Sequence, residues 1–150
     1  MPSEFIQLML EAFDFITLSP DDNSRTSSEN IDLGFLDITF FRDDFGRKNK
    51  ILSPNKTSID FFIEDKSVIL IDDVLYTGRS VTAALAALQS FGRPKKVELL
   101  SLVDRRFSRH LPIQPDYFGV KVDSINNQRV EVKWDKNNKE GSVYILQNEK

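Results

Sequence analysis

The run Val68–Ser80, VILIDDVLYTGRS, constrains this chain more than any other stretch. Four apolar residues pass directly into two adjacent carboxylates, Asp72 and Asp73. A short turn carrying Thr77, Gly78 and Ser80 then leads into VTAALAALQSFGRP. A continuous apolar run is the pattern of a strand buried on both faces of a parallel sheet. Past the turn, Val81, Ala84, Leu85 and Leu88 recur at helical spacing, with Gly92 and Pro94 as stop signals. KVELLSLVD then reads as a second buried strand. Residues 68–104 therefore form a strand–helix–strand unit with an expected right-handed crossover, and the fold class is α/β.

Two negative charges at the end of a buried strand are costly unless something uses them. Ligands of open α/β sheets bind beyond the carboxyl ends of the strands, where the loop Val74–Ser80 falls. Backbone amides at a helix start, helped by the hydroxyls of Thr77 and Ser80, suit a phosphate. Asp72 and Asp73 accept hydrogen bonds and donate none, which suits vicinal hydroxyls or hydrated Mg²⁺. Together they describe a site for a ribose 5-phosphate. No Gly-Lys-Ser/Thr follows the strand and G-x-G-x-x-G is absent, so neither a P-loop nor a dinucleotide fingerprint is present. The plainer alternative for the acids is a solvated turn or a helix N-terminal charge.

The 150 residues suit one domain with a real core. A net charge of −3 offers no global field for nucleic acid or anionic membrane, so RNA contact would need a local patch. The absence of cysteine removes disulfides and thiolate chemistry and fits a cytoplasmic protein. A single histidine, His110, rules out multi-histidine metal sites, and no purely protein-held metal is expected. No apolar run approaches the roughly 20 residues of a membrane span, and the N-terminus lacks the pattern of a signal peptide.

Elsewhere, Phe5, Leu8, Met9, Ala12, Phe13 and Ile16 lie near helical spacing and predict a helix over Phe5–Leu18. Residues 19–30 read as a polar linker, which divides the chain into an N-terminal helix and linker (1–32) and a main domain (33–150). LGFLDITFF predicts a strand up to Arg42. RDDFGRKNKILSPNKTS looks like a flap hairpin, with IDFFIEDK as its returning strand. DRRFSRHLPIQP reads as a basic loop. Its Arg105, Arg106, Arg109 and His110 could contact a base, face RNA, or simply lie on the surface beside Asp104. DYFGVKV predicts a shorter strand, and RVEVKW with SVYILQ a closing antiparallel hairpin.

Apolar strand, acid pair, Thr-Gly and helix together resemble the phosphoribosyl-pyrophosphate (PRPP) signature of type I phosphoribosyltransferases. LDITFFRDD, VILIDDVLYTGRSVTAAL, SFGRP and LVDRRFSRHLPIQPDYFG stand in the order found in the PyrR-type branch of bifunctional pyrimidine-operon regulators and uracil phosphoribosyltransferases. The resemblance covers most of the chain from about Leu33 onward. It implies a mainly parallel sheet flanked by helices, with a flexible flap hairpin and a C-terminal β-hairpin. Asp72 and Asp73 would bind the ribose hydroxyls as the catalytic pair. Val74, Leu75, Tyr76, Thr77, Gly78, Arg79 and Ser80 would complete the PRPP site. Arg42, Asp43 and Asp44 would open the flap, and Val103, Asp104 and Arg105 would border uracil or UMP. Mg²⁺ would enter mainly through PRPP, and a homodimer is expected. The family's first strand–loop–helix, with its pyrophosphate-binding basic residue and glycine, has no counterpart before Leu33. Arg25 is followed by Thr and Ser. A divergent or shortened start is expected there, in which the first βα unit is lost or replaced.

Three functions follow from the resemblance. The first is transfer of phosphoribose from PRPP to uracil, giving UMP and diphosphate in pyrimidine salvage. The second is a UMP- or PRPP-responsive regulator that binds pyrimidine-operon RNA. The third is a non-catalytic relative that keeps the fold and nucleotide binding.

Overall fold

The computed structural model describes residues 13–18, 31–38, 57–124, 128–135 and 140–147. β1 (Phe13–Leu18), β2 (Ile31–Leu36), β3 (Ser67–Leu75), β4 (Lys96–Arg106) and β5 (Tyr117–Asp123) form one sheet in the order β2-β1-β3-β4-β5. β3, β4 and β5 run parallel, while β1 is antiparallel to both of its neighbours. The helix α1 (Arg79–Leu88) connects β3 to β4, as the apolar run and its crossover predict. β6 (Gln128–Asp135) and β7 (Glu140–Gln147) make the expected C-terminal antiparallel hairpin.

The helix predicted over Phe5–Leu18 is corrected where it can be seen. Phe13–Leu18 is a strand, paired through Asp14–Leu18 with Ile71–Ser67 of β3, and residues 5–12 lie outside the described residues. FDFITL is rich in β-branched and aromatic residues, and two open strand edges outweigh a short helical stripe. The sheet position beside β3 is thus filled, by a strand of opposite direction. Ile31 and Asp32 belong to the same strand as Leu33. The LGFLDITFF strand begins two residues earlier than predicted and ends at Leu36. The expected returning strand IDFFIEDK is instead irregular. Only Ser58, just before it, bridges to Phe35, and a turn falls at Glu64–Asp65.

One face of the sheet carries the main core. Val68 and Leu70 of β3, Val81, Ala84, Ala87 and Leu88 of α1, Leu99 of β4 and Ile63 pack into one buried cluster. Full burial of a residue such as Leu70 or Leu88 is worth roughly 2 kcal/mol relative to exposure. The helical stripe shifts slightly from its prediction, because Ala83 is buried while Leu85 is exposed. α1 ends at Leu88, runs through a 3-10 turn at Gln89–Phe91, and stops at Gly92, whose φ of 134° excludes a continued helix. A second, smaller cluster of Val103, Val122 and Val130 joins the parallel sheet to β6.

Candidate functional site

Asp72 and Asp73 lie toward the end of β3 and are half-buried, with Val74 and Leu75 completing the strand after them. Among the described residues β1 pairs with β3 as far as Ile71, just before the acids. Alternation along β3 also slips here. Leu70 and Leu75, an odd number of positions apart, both enter the main core. Val74 packs instead against the smaller cluster. Asp73 Oδ1 accepts the Val74 N–H at 2.7 Å. Fully buried Ser101 on β4 repairs the ladder: its hydroxyl accepts the Leu75 N–H at 3.1 Å and donates to the Val103 carbonyl at 2.9 Å. Nothing in the spacing of KVELLSLVD marks Ser101 for this role, although a lone hydroxyl within an apolar strand is a local oddity.

Burial pushes the Asp72 carboxyl well above the ordinary carboxylate range, and the charge of neighbouring Asp73 adds to the push. Among the described residues no lysine or arginine pairs with either acid. The strand end therefore holds two crowded acidic groups without a protein counter-charge, an arrangement that a polyhydroxyl or cationic ligand would relieve.

The turn after β3 is shaped by a left-handed glycine and by close packing from a later segment of the chain. Gly78 takes φ 89°, the left-handed region, at the N-cap of α1. A Cβ there would stand 3.2 Å from Ile113 Cδ1, so both conformation and space favour glycine. The first intrahelical bond runs from the Thr82 N–H to the Gly78 carbonyl at 3.0 Å. The amides that open α1 lack acceptors within the helix, as at any helix start. Arg79 N–H leans toward Thr77 Oγ1 at 3.4 Å. Tyr76 and Arg79 are exposed, while Thr77 and Ser80 are partly so.

The segment after β4 backs this turn. The carbonyl of Thr77 accepts from the His110 N–H at 3.1 Å and the Leu111 N–H at 3.2 Å. Arg109 donates to the Tyr76 carbonyl through one guanidinium nitrogen and to Asp104 through another. Arg105 stacks over the Tyr76 ring, 3.9 Å from its centroid, and donates to Ser124 Oγ at 2.6 Å and the Gln128 carbonyl at 3.0 Å.

These contacts change the reading of the basic segment. β4 runs through Arg106, so Asp104, Arg105 and Arg106 are strand residues and the loop begins at Phe107. Val103 is fully buried in the smaller core cluster, and Arg105 is buried among its own partners. Arg106 forms a bidentate pair with Asp123. Of the expected base-bordering trio, Asp104 lines a cavity. That cavity, of about 600 Å³, is also lined by Arg109, Ile113, Phe107 and Phe118. It touches the turn through Arg109 and Ile113. Asp116, in the DYFG stretch, sets the start of β5 by accepting the Leu99 N–H at 2.8 Å and donating its own N–H to the Leu99 carbonyl at 2.9 Å. Arg42, Asp43 and Asp44, the expected flap residues, lie outside the described residues.

Among the described residues no group of three or more His, Cys, Asp or Glu side chains could hold a metal ion. The adjacent acids at Asp72 and Asp73 fit Mg²⁺ only as a minority of its ligands, the rest coming from phosphate oxygens and water. Nor, among the described residues, is any helix long and apolar enough to cross a membrane.

A model of the phosphoribosyl transferase domain matches residues 17–137. The chain is similar to proteins named "Bifunctional protein PyrR". The protein from Caldicellulosiruptor bescii is 45% identical over 115 residues, covering 77% of this chain and 63% of that protein. The one from Desulfosudis oleivorans is 44% identical, covering 83% and 69%. The one from Acetivibrio thermocellus is 49% identical, covering 70% and 56%. The chain thus spans roughly three fifths of the length of these relatives. Among solved structures, a hypoxanthine phosphoribosyltransferase from Staphylococcus aureus superposes with a TM-score of 0.39 at 28% identity, covering 50% of this chain and 39% of that one.

Proposed function

This chain belongs to the type I phosphoribosyltransferase family, in its PyrR branch, and on that premise we propose that it transfers the 5-phosphoribosyl group of PRPP to uracil, giving UMP and diphosphate. One observation carries the reading. Two acids with no counter-charge among the described residues lie toward the end of the buried strand β3, one short turn away from a helix start capped by Gly78. The acids suit the ribose diol, and the amides of the turn suit the 5-phosphate.

In this reaction a ring nitrogen of uracil bonds to ribosyl C1 while the C1–O bond to diphosphate breaks. The bonding pair leaves on diphosphate and the nitrogen gives up its proton. Mg²⁺ bound with PRPP would supply charge neutralisation for the diphosphate. The protein's task is to hold the two partners in line and keep water out. Asp72 and Asp73 grip the ribose, and Val74–Ser80 seats the phosphate. Asp104 faces the cavity in which the base would lie, and Val103 and Arg105 support that wall from behind. Closure of the segment carrying Arg42, Asp43 and Asp44 over the site belongs to the same proposal. The test is UMP formation from labelled uracil, PRPP and Mg²⁺. Absence of UMP while calorimetry shows both substrates bound would refute it.

The relatives' name, "Bifunctional protein PyrR", favours a second activity, which on the family resemblance would be regulation through pyrimidine-operon RNA. The basic cluster supplies little surface for it, since Arg105 is buried and Arg106 and Arg109 are each paired with an acid. An RNA-binding face would have to be assembled elsewhere or across a homodimer. A UMP-dependent shift of leader RNA in a gel supports this activity, and a shift indifferent to UMP removes it.

A further inference from the structure

Three consecutive residues of the β3–α1 turn are each held by the end of β4 or the segment that follows it. The Tyr76 ring lies under the Arg105 guanidinium and the Tyr76 carbonyl accepts from Arg109. Thr77 is held by the amides of His110 and Leu111, and Gly78 packs against Leu111 and Ile113. The two arginines are themselves fixed. Arg105 is 4% exposed and bonded to Ser124 and Gln128, while Arg109 is paired with Asp104, which is 6% exposed. Arginine suits this use, because its planar fork can bond two acceptors at once and stack on a ring, which lysine cannot do.

We propose that Arg105 and Arg109 are positioning residues that clamp Tyr76 from two sides and thereby set the amides of the Tyr76–Ser80 turn for a 5-phosphate. Neither touches the phosphate. Each acts through the backbone that does. Because Asp104 and Arg109 also line the neighbouring cavity, the clamp joins the phosphate seat to the wall beside the base. The inference rests on the proposed phosphoribosyl site and adds a separable consequence. Loosening the clamp should weaken binding of the phosphate far more than binding of the nucleoside.

The experiment compares UMP with uridine by calorimetry on the full chain, for wild type, Arg109→Gln, Arg109→Lys and Tyr76→Leu. Loss of a charge-assisted hydrogen bond to the turn should raise the Kd for UMP about tenfold or more in Arg109→Gln, with the Kd for uridine changed less than about twofold. Arg109→Lys keeps the charge beside Asp104 but cannot bond both acceptors in one plane, so it should recover only part of the loss. Tyr76→Leu removes the stacked ring, keeps the carbonyl, and alters a residue at the surface; it should weaken UMP selectively by a smaller factor. If Arg109→Gln fails to fold, Tyr76→Leu decides the matter alone. Equal weakening of UMP and uridine, or UMP binding unchanged in the variants when the wild type binds it, overturns the clamp and leaves the site intact. A wild type that binds neither UMP nor PRPP overturns the site, and the clamp with it.

Discussion

Two charge clusters among the described residues, Asp72-Asp73 toward the end of β3 and Arg105–Arg109 around the end of β4, solve their electrostatics in opposite ways. The arginines are satisfied internally: Arg105 by Ser124, Gln128 and the Tyr76 ring, Arg106 by Asp123, and Arg109 by Asp104 and the Tyr76 carbonyl. The acids are not. They crowd each other, burial raises the Asp72 carboxyl above its usual range, and among the described residues no cation answers them. A cluster that neutralises itself is structure, whereas a cluster left unresolved in a half-buried position is stored affinity for something else.

Substitutions can break this contrast. Asp73→Asn keeps an oxygen to accept the Val74 N–H, so the fold should survive. The lost charge should weaken PRPP by about 100-fold, two to three charge-assisted contacts being at stake. Calorimetry alongside a thermal melt checks both halves, and unchanged affinity would make the acids a solvated turn after all. Asp104→Asn should do the reverse. It removes one partner of a largely buried pair and should cost about 2 kcal/mol in urea unfolding. A loss well below 1 kcal/mol would mean that the β4 cluster is held by other means.

The sign of the pH dependence sharpens the comparison further. With its folded pKa raised, the Asp72 carboxyl holds its proton in the native state at pH values where the unfolded chain has released it. Its contribution therefore favours folding at low pH, and stability falls as pH rises from the ordinary carboxylate range through the raised folded value. Asp72→Asn should flatten that fall and raise the melting midpoint at neutral pH. A midpoint that drops in Asp72→Asn would show that the carboxylate has a stabilising partner. The smallest effect is expected at Arg106→Ala, where an exposed pair with Asp123 is screened by water. The melting midpoint should not move measurably.

Local physics made the centre of the fold legible. β3, α1 and β4 follow from an apolar run, a helical stripe and a glycine stop, each written in a dozen neighbouring residues. The C-terminal hairpin follows likewise from two alternating runs separated by a polar turn. Phe13–Leu18 misleads for the same reason. Its spacing admits a helix, and only the open edges of β2 and β3 make it a strand. The basic segment misleads in another way. RRFSRH looks like one surface patch, but Arg105 is drawn inward by Ser124 and Gln128, and Arg109 by Tyr76 and Asp104.

What the sequence determined alone was the identity and order of the acid pair, the turn and the helix, since residues adjacent in the chain must be adjacent in the site. Tertiary structure decided which charges remain unspent. Ser101 reaches Leu75 across 26 positions and Arg109 reaches Tyr76 across 33, distances over which no periodicity or spacing carries information. Burial and partner choice are properties of the packed sheet, and they separate the acids, which no cation answers among the described residues, from the arginines that have found their partners.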